Sequence, residues 1–149
     1  MSVIEKSIEI NVPVKTAYNQ WTQFEEFPRF MEGVEQVRQV DDKHLHWKAS
    51  IGGKQKEWDA VITEQIPDQR IAWMSQGGAK NGGAVTFSQV SENTSKLNLR
   101  LEYEPEGAVE KTGDTIGVVT GRVEGDLQRF KDFIESRGQE TGAWRGKVA

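Results

Sequence analysis

From Val34 to Glu104 apolar side chains return at every second position, and short turn signals cut the stretch into pieces. A period of two sends alternate side chains to opposite faces of an extended chain, so this stretch predicts a run of β-strands joined by hairpins. Val34 to Val40 is the first piece, and Asp41-Asp42 turns it into a strand that places Leu45, Trp47, Ala49 and Ile51 on one face. Gly52-Gly53 is a two-residue hairpin signal, which sets Trp47 directly opposite Trp58. Trp58, Ala60, Ile62 and Ile66 then share the inner face, Pro67-Asp68 turns the chain, and Ile71 with Trp73 continues that side. The run Gly77 to Gly83 reads as a mobile loop and lid candidate. Beyond it Val85 and Phe87 alternate, Glu92-Asn93-Thr94 turns, and Leu97, Leu99, Leu101 and Tyr103 line the last strand. A three-residue loop there predicts Phe87 across from Leu99 and Val85 across from Leu101.

The flanks change period. Ile4, Ile8 and Ile10 alternate with polar residues as one further strand, and Pro13 then opens a helix carrying Val14, Ala17, Tyr18 and Trp21 on one side. Glu25-Glu26 before Phe27-Pro28-Arg29-Phe30-Met31 predict a second short helix stopped by Gly33. From Asp114 to Arg137, Ile116, Val119, Val123, Leu127, Phe130 and Ile134 recur at steps of three and four, the mark of a long helix with one buried face. Asp114 suits its start, and Arg137 followed by Gly138 suits its end. Gly113, Gly117, Gly121 and Gly125 oppose it at about 1 kcal/mol for each interior glycine. Apolar side chains contributing about 1.5–3 kcal/mol each outweigh that, provided the helix leans on a large apolar surface. The antiparallel sheet is the only such surface the pattern supplies.

With 149 residues the chain fits one domain, read as residues 1–138, followed by a polar tail of residues 139–149 carrying Trp144. A net charge of −4 offers no basic field to a phosphate backbone, so nucleic acid is not an expected partner. The absence of cysteine removes disulfides, thiolate nucleophiles and sulfur metal sites, and suits a reducing cytoplasm. No apolar run reaches the length of a membrane span, and Met1 leads into the first strand without the charged and apolar leader of a signal peptide.

The order of elements, the Val14-Lys15-Thr16-Ala17-Tyr18-Asn19-Gln20-Trp21 helix, the Phe27 to Met31 segment followed by Val34, the Ile66-Pro67 to Trp73 turn and the closing Val123 to Phe130 helix resemble the polyketide cyclase/dehydrase and lipid-transport family. That family belongs to the START-like, birch-pollen-allergen-like superfamily, and the likeness runs from Val3 to about Arg137. It implies an α+β helix-grip fold, a curved seven-stranded antiparallel sheet wrapped around the C-terminal helix with two short helices between strands 1 and 2. It also implies a ligand cavity between sheet and helix. The residues that would line it are Trp47, Trp58, Trp73, Phe87, Leu99, Leu101, Tyr103, Ile116, Val119 and Val123. The same aromatic wall is also what a solid core would use, so pocket and packing both stand at this level.

Charged candidates are few. Alternation puts Glu64 on the inner face, and a tight turn at Pro67 to Arg70 would set it across from Trp73 as a proton donor or ligand anchor. Its competing reading is a rim carboxylate paired with Arg70 or Arg100. His44 and His46 fall on the solvent face without a third ligand, so no metal and no cofactor is expected. The expected function is binding or transport of a hydrophobic small molecule such as a lipid, quinone or polyketide-like compound. The alternative is a cyclase or dehydratase using Glu64, Tyr103 or Arg100 in the same cavity. A third class, protein binding or peripheral membrane contact, would use Trp144 and the tail. Oligomeric state is not legible.

Overall fold

The computed structural model describes residues 2–31, 33–51, 54–76, 81–103 and 113–146, with the side chains at 2, 51, 54, 81, 103 and 113–120 excepted. Strand β1 (Ser2–Ile10) leads into helix α1 (Val14–Trp21) and a 3-10 turn, Phe24–Arg29. Six strands follow, β2 (Val34–Gln39), β3 (His44–Ile51), β4 (Lys54–Ile66), β5 (Arg70–Gln76), β6 (Asn81–Ser91) and β7 (Thr94–Tyr103), and helix α2 (Gly113–Arg137) comes last. All seven strands form one antiparallel sheet in the order β1-β7-β6-β5-β4-β3-β2. Sequential hairpins account for every neighbour except β1, which closes on β7 from the far end of the chain. The sheet curls as a half-barrel around α2.

Local chemistry explains the ends. Pro13 sits at the N-cap of α1 with extended backbone, where its missing N–H costs nothing. The short second helix begins at Phe24, earlier than its sequence suggests, and is a 3-10 turn with Glu25 and Glu26 at its start. Gly33 ends that segment at φ +87°, a conformation that strongly favours glycine. At the end of α2, Gly138 has φ +76° and donates its N–H to the Ile134 carbonyl at 2.9 Å, the glycine stop its position predicts.

Val123, Leu127, Phe130 and Ile134 of α2 are all buried, the last two completely. At about 1.5–3 kcal/mol each they hold the helix against the sheet, and the charged flank is tied down as well. Lys131 donates to the Glu9 carbonyl at 3.1 Å, and Glu135 accepts the Asn11 N–H at 2.8 Å. Gly121 is different, because a Cβ there would meet nothing within 4 Å among the described residues. Gly121→Ala is therefore expected to raise the free energy of unfolding by about 0.5–1 kcal/mol through helix propensity alone. Urea titration of the two proteins checks it, and a destabilised variant would show that the open space is needed.

Two registers depart from the alternation. In the β6–β7 hairpin Ser91 pairs with Thr94 and an irregularity follows Gln89, so Phe87 faces Leu97 and Val85 faces Leu99. The shift is two residues, which preserves the inner face. In β4 a bulge lies between Ile62 and Glu64, so Glu64 stands across from Ala72 and Trp73 from Ile62. The extra residue turns Gln65, fully buried, into the inward position that alternation gave to its neighbours. Asn81, Gly82 and Gly83, expected in a loop, belong to β6 and pair with β7 and β5. Residues 77–80 of that expected loop, the Gly52-Gly53 turn and the corner at Pro105 to Val109 lie outside the described residues.

Candidate functional site

The concave face of the sheet has two ends of different character. At one end the core is closed by aromatic rings. Trp21 and Phe30 each approach Phe130 with centroids 5.1 Å apart, Phe27 lies 5.3 Å from Trp21, and Phe87 meets Tyr18 edge-on at 5.4 Å. All of these side chains are buried, which is close packing.

Toward the other end the burial relaxes. Trp47 and Trp58, opposite each other in the β3–β4 pair, stack at 5.9 Å with an interplanar angle of 5°. Both are only partly buried, as are Trp73 and Leu101. Phe27 tilts against Trp47 at 5.7 Å and joins the two zones. The Trp47 indole nitrogen is shielded from water yet donates to no partner among the described residues. A shielded, unpaired N–H is costly unless an acceptor arrives.

Gly83 shapes this end. A Cβ on it would lie 2.8 Å from Trp73 Cζ2 and 2.9 Å from both Leu101 Cδ2 and the Arg100 carbonyl oxygen. The indole of Trp73 thus crosses bare backbone, and only glycine leaves room for it. The glycine run marked this place in the sequence, but its role as the bed of an indole needs the β5–β6 register to be seen.

The residues expected to line a cavity therefore divide. Trp47, Trp58, Trp73 and Leu101 gather at the half-open end. Phe87, Leu99 and Val123 are buried in the continuous core. The side chains of Tyr103, Ile116 and Val119 lie outside the described residues.

The charged candidates are otherwise engaged. Glu64 accepts the Arg70 Nε–H at 2.5 Å, both side chains being more than a third exposed, so the bulge delivers it to a rim ion pair instead of the wall beside Trp73. Arg100 is exposed on the outer face and donates to Glu102 at 3.0 Å. His44 binds Asp41 at 2.8 Å, and no group of three metal-ligating side chains occurs among the described residues. His46 lies between Asp59 at 2.8 Å and Glu57 at 3.1 Å.

Hydrogen bonds to Asp59 and Glu57 raise the His46 pKa above the ordinary imidazole value. The folded state then binds the proton more tightly than the unfolded chain. The stabilisation is full below the unfolded pKa and disappears as pH rises through the folded one. His46→Gln should therefore cost stability at pH 5.5 and very little at pH 8.5, measured as the urea midpoint at both; an equal loss at the two values removes the charge from the account.

The residue pattern gives no sign of a buried polar cluster around α1. Tyr18 is fully buried with its hydroxyl beside Gln65 but without a well-formed hydrogen bond, and burial pushes its phenol above the usual range. Arg145 from the chain end sits 5.5 Å over the Tyr18 ring. The helical period of α1 places Tyr18 on the apolar side and does not announce its polar neighbours.

A curled seven-stranded sheet gripping one long terminal helix, with an aromatic concave face, defines a helix-grip protein. Comparison with known proteins agrees. The family model described as polyketide cyclase/dehydrase and lipid transport matches residues 10–132, and the chain belongs to that family. It is 54% identical over 149 residues to an uncharacterised 17.2 kDa protein from the melC2–rnhH intergenic region of Streptomyces lincolnensis, with 99% of each chain covered. Among solved structures it is similar to the Zhui aromatase/cyclase from Streptomyces sp. R1128, with a TM-score of 0.79 at 13% identity, covering 96% of this chain and 99% of the other. It is also similar to a Deinococcus radiodurans protein, DR_A0006, with a TM-score of 0.72 at 25% identity, covering 92% and 99%. No helix among the described residues is long and apolar enough to cross a membrane.

Proposed function

We propose that this protein binds a hydrophobic small molecule, of the lipid, quinone or polyketide-like aromatic kind, between the concave sheet face and α2. One observation carries this. Trp47, Trp58 and Trp73 remain partly exposed on the inner face, whereas the rings at the other end of the same face are fully packed. Large aromatic surface left open inside a fold is normally covered by a partner.

Binding is favoured over turnover by the state of the charged groups. Glu64 is paired with Arg70 at the rim and Arg100 with Glu102 on the outer face, both away from the inner wall, while the Tyr103 side chain lies outside the described residues. The family's name covers cyclisation as well as lipid transport, so membership supports a hydrophobic ligand without choosing between binding and turnover.

The experiment is native mass spectrometry of the purified protein, followed by organic extraction and titration with a flat aromatic probe read by tryptophan fluorescence. A co-purifying apolar molecule, or saturable quenching by the probe, is the expected result. A protein that carries no extra mass and does not respond to the probe overturns the reading.

A further inference from the structure

Helix α1 and the residue that follows it carry three polar side chains with almost no access to water. Asn19, Gln20 and Thr22 are 4%, 0% and 1% exposed, and Gln65 beside them on β4 is 0% exposed. Buried polar groups are costly unless each finds a partner, so what covers them must be rich in hydrogen bonds. Residues 139–146 do the covering. Gln20 grips Thr141 at two points, its Oε1 accepting the Thr141 N–H at 2.8 Å and its Nε2 donating to Thr141 Oγ1 at 3.1 Å. Thr22 Oγ1 accepts the Trp144 N–H at 3.0 Å, and Gln65 Nε2 donates to the Trp144 carbonyl at 3.1 Å.

Arg145 completes the set. Its guanidinium donates to both carboxylate oxygens of Asp68, at 2.9 and 2.7 Å, and to Asn19 Oδ1 at 2.7 Å. Two parallel bonds to one carboxylate are the strong, directional form of this pair. Asp68 holds a left-handed conformation, φ +64°, in the turn between β4 and β5, which favours glycine or asparagine. Gly142 passes beside the Gln23 side chain, whose Oε1 would stand 2.7 Å from a Cβ there.

We propose that this face of α1, with the β4–β5 turn, is a recognition groove for an extended peptide, and that its occupant is the chain's own segment Thr141-Gly142-Ala143-Trp144-Arg145. The segment is a strap that fastens α1 to the sheet. Backbone donors and acceptors of the strap are read by Gln20, Thr22 and Gln65, and Arg145 supplies the charge that Asp68 accepts. The strap lies beyond residues 10–132, the part that the family model matches, so the family resemblance does not supply it.

The full-length chain tests this. In Arg145→Ala the amides of residues 14–21 and 141–145 are expected to exchange with deuterium at least about tenfold faster, with those of β3 unchanged. Unchanged rates in both segments overturn the proposal. A fluorescein-labelled peptide of residues 139–149 is then added to wild type, whose groove is filled, and to full-length Arg145→Ala, whose strap has lost its bonds to Asp68 and Asn19. Binding to the variant at least about tenfold tighter than to wild type, weakened by Arg145→Ala in the peptide, is expected. A peptide that binds both proteins alike, or neither, refutes the groove. Should Arg145→Ala fail to fold, Thr141→Pro, which removes the N–H that Gln20 accepts, takes its place as the peptide's target with the same outcomes.

Discussion

Phe130→Ala should lower the free energy of unfolding by about 3–5 kcal/mol, the range for truncating a fully buried phenylalanine. Phe130 is 0% exposed and touches rings from two directions, Trp21 and Phe30, each at 5.1 Å. Those two rings sit on separate elements, α1 and the chain just after the 3-10 turn, and each is fixed by further contacts, so the void cannot collapse cheaply. The loss also falls on the docking of α2, because Phe130 and Ile134 are its two fully buried side chains among those described. Phe133 is the control, being only partly buried and flanked by the Arg137 and Arg29 guanidinium groups at 5.6 and 6.0 Å. Phe133→Ala should cost markedly less. Denaturant unfolding with a constant slope decides both, and a loss below about 1 kcal/mol for Phe130→Ala would mean that α2 does not anchor the fold there.

Trp73→Asp is expected to abolish binding of the aromatic probe, weakening it at least about a hundredfold, the equivalent of about 2.7 kcal/mol. Trp73 lies across Gly83 beside Leu101 at the half-open end, so its removal takes away a flat apolar surface and puts a carboxylate where an apolar guest would exclude water. Being partly exposed, the side chain can change without the collapse that a core substitution brings. Circular dichroism confirms the fold of the variant. Gly83→Ala separates shape from charge, since its methyl group would displace the Trp73 indole while leaving the wall apolar. Weaker binding in both variants places the guest against Trp73. Binding unchanged in a folded Trp73→Asp protein removes this residue from the wall.

The two substitutions probe features that stood at different depths in the sequence. The helical period of α2 and the position of Phe130 on its buried face follow from local spacing, as do the glycine stop at Gly138 and the facing of Trp47 by Trp58. These depend on a few neighbouring residues and a two-residue turn, and such rules need no tertiary information. Where a strand carries an irregularity the same rules fail. One extra residue at Thr63 moved Glu64 from the wall beside Trp73 to an ion pair with Arg70, and brought Gln65 inside. No pattern of residue types marks that bulge.

Taken alone, the amino-acid order determined the alternation of strands, the two faces of the sheet, the amphipathic character of α1 and α2, and thereby the class of fold. Each is a periodicity set by backbone geometry, which any segment expresses within its own length. Only the tertiary structure decided which aromatic rings pack solidly and which stay half open, that Trp73 rests on the bare backbone of Gly83, and that residues 139–146 return to cover Asn19, Gln20 and Thr22. These join positions far apart in the chain, and their energies depend on burial and contact that exist only once the sheet has curled around its helix.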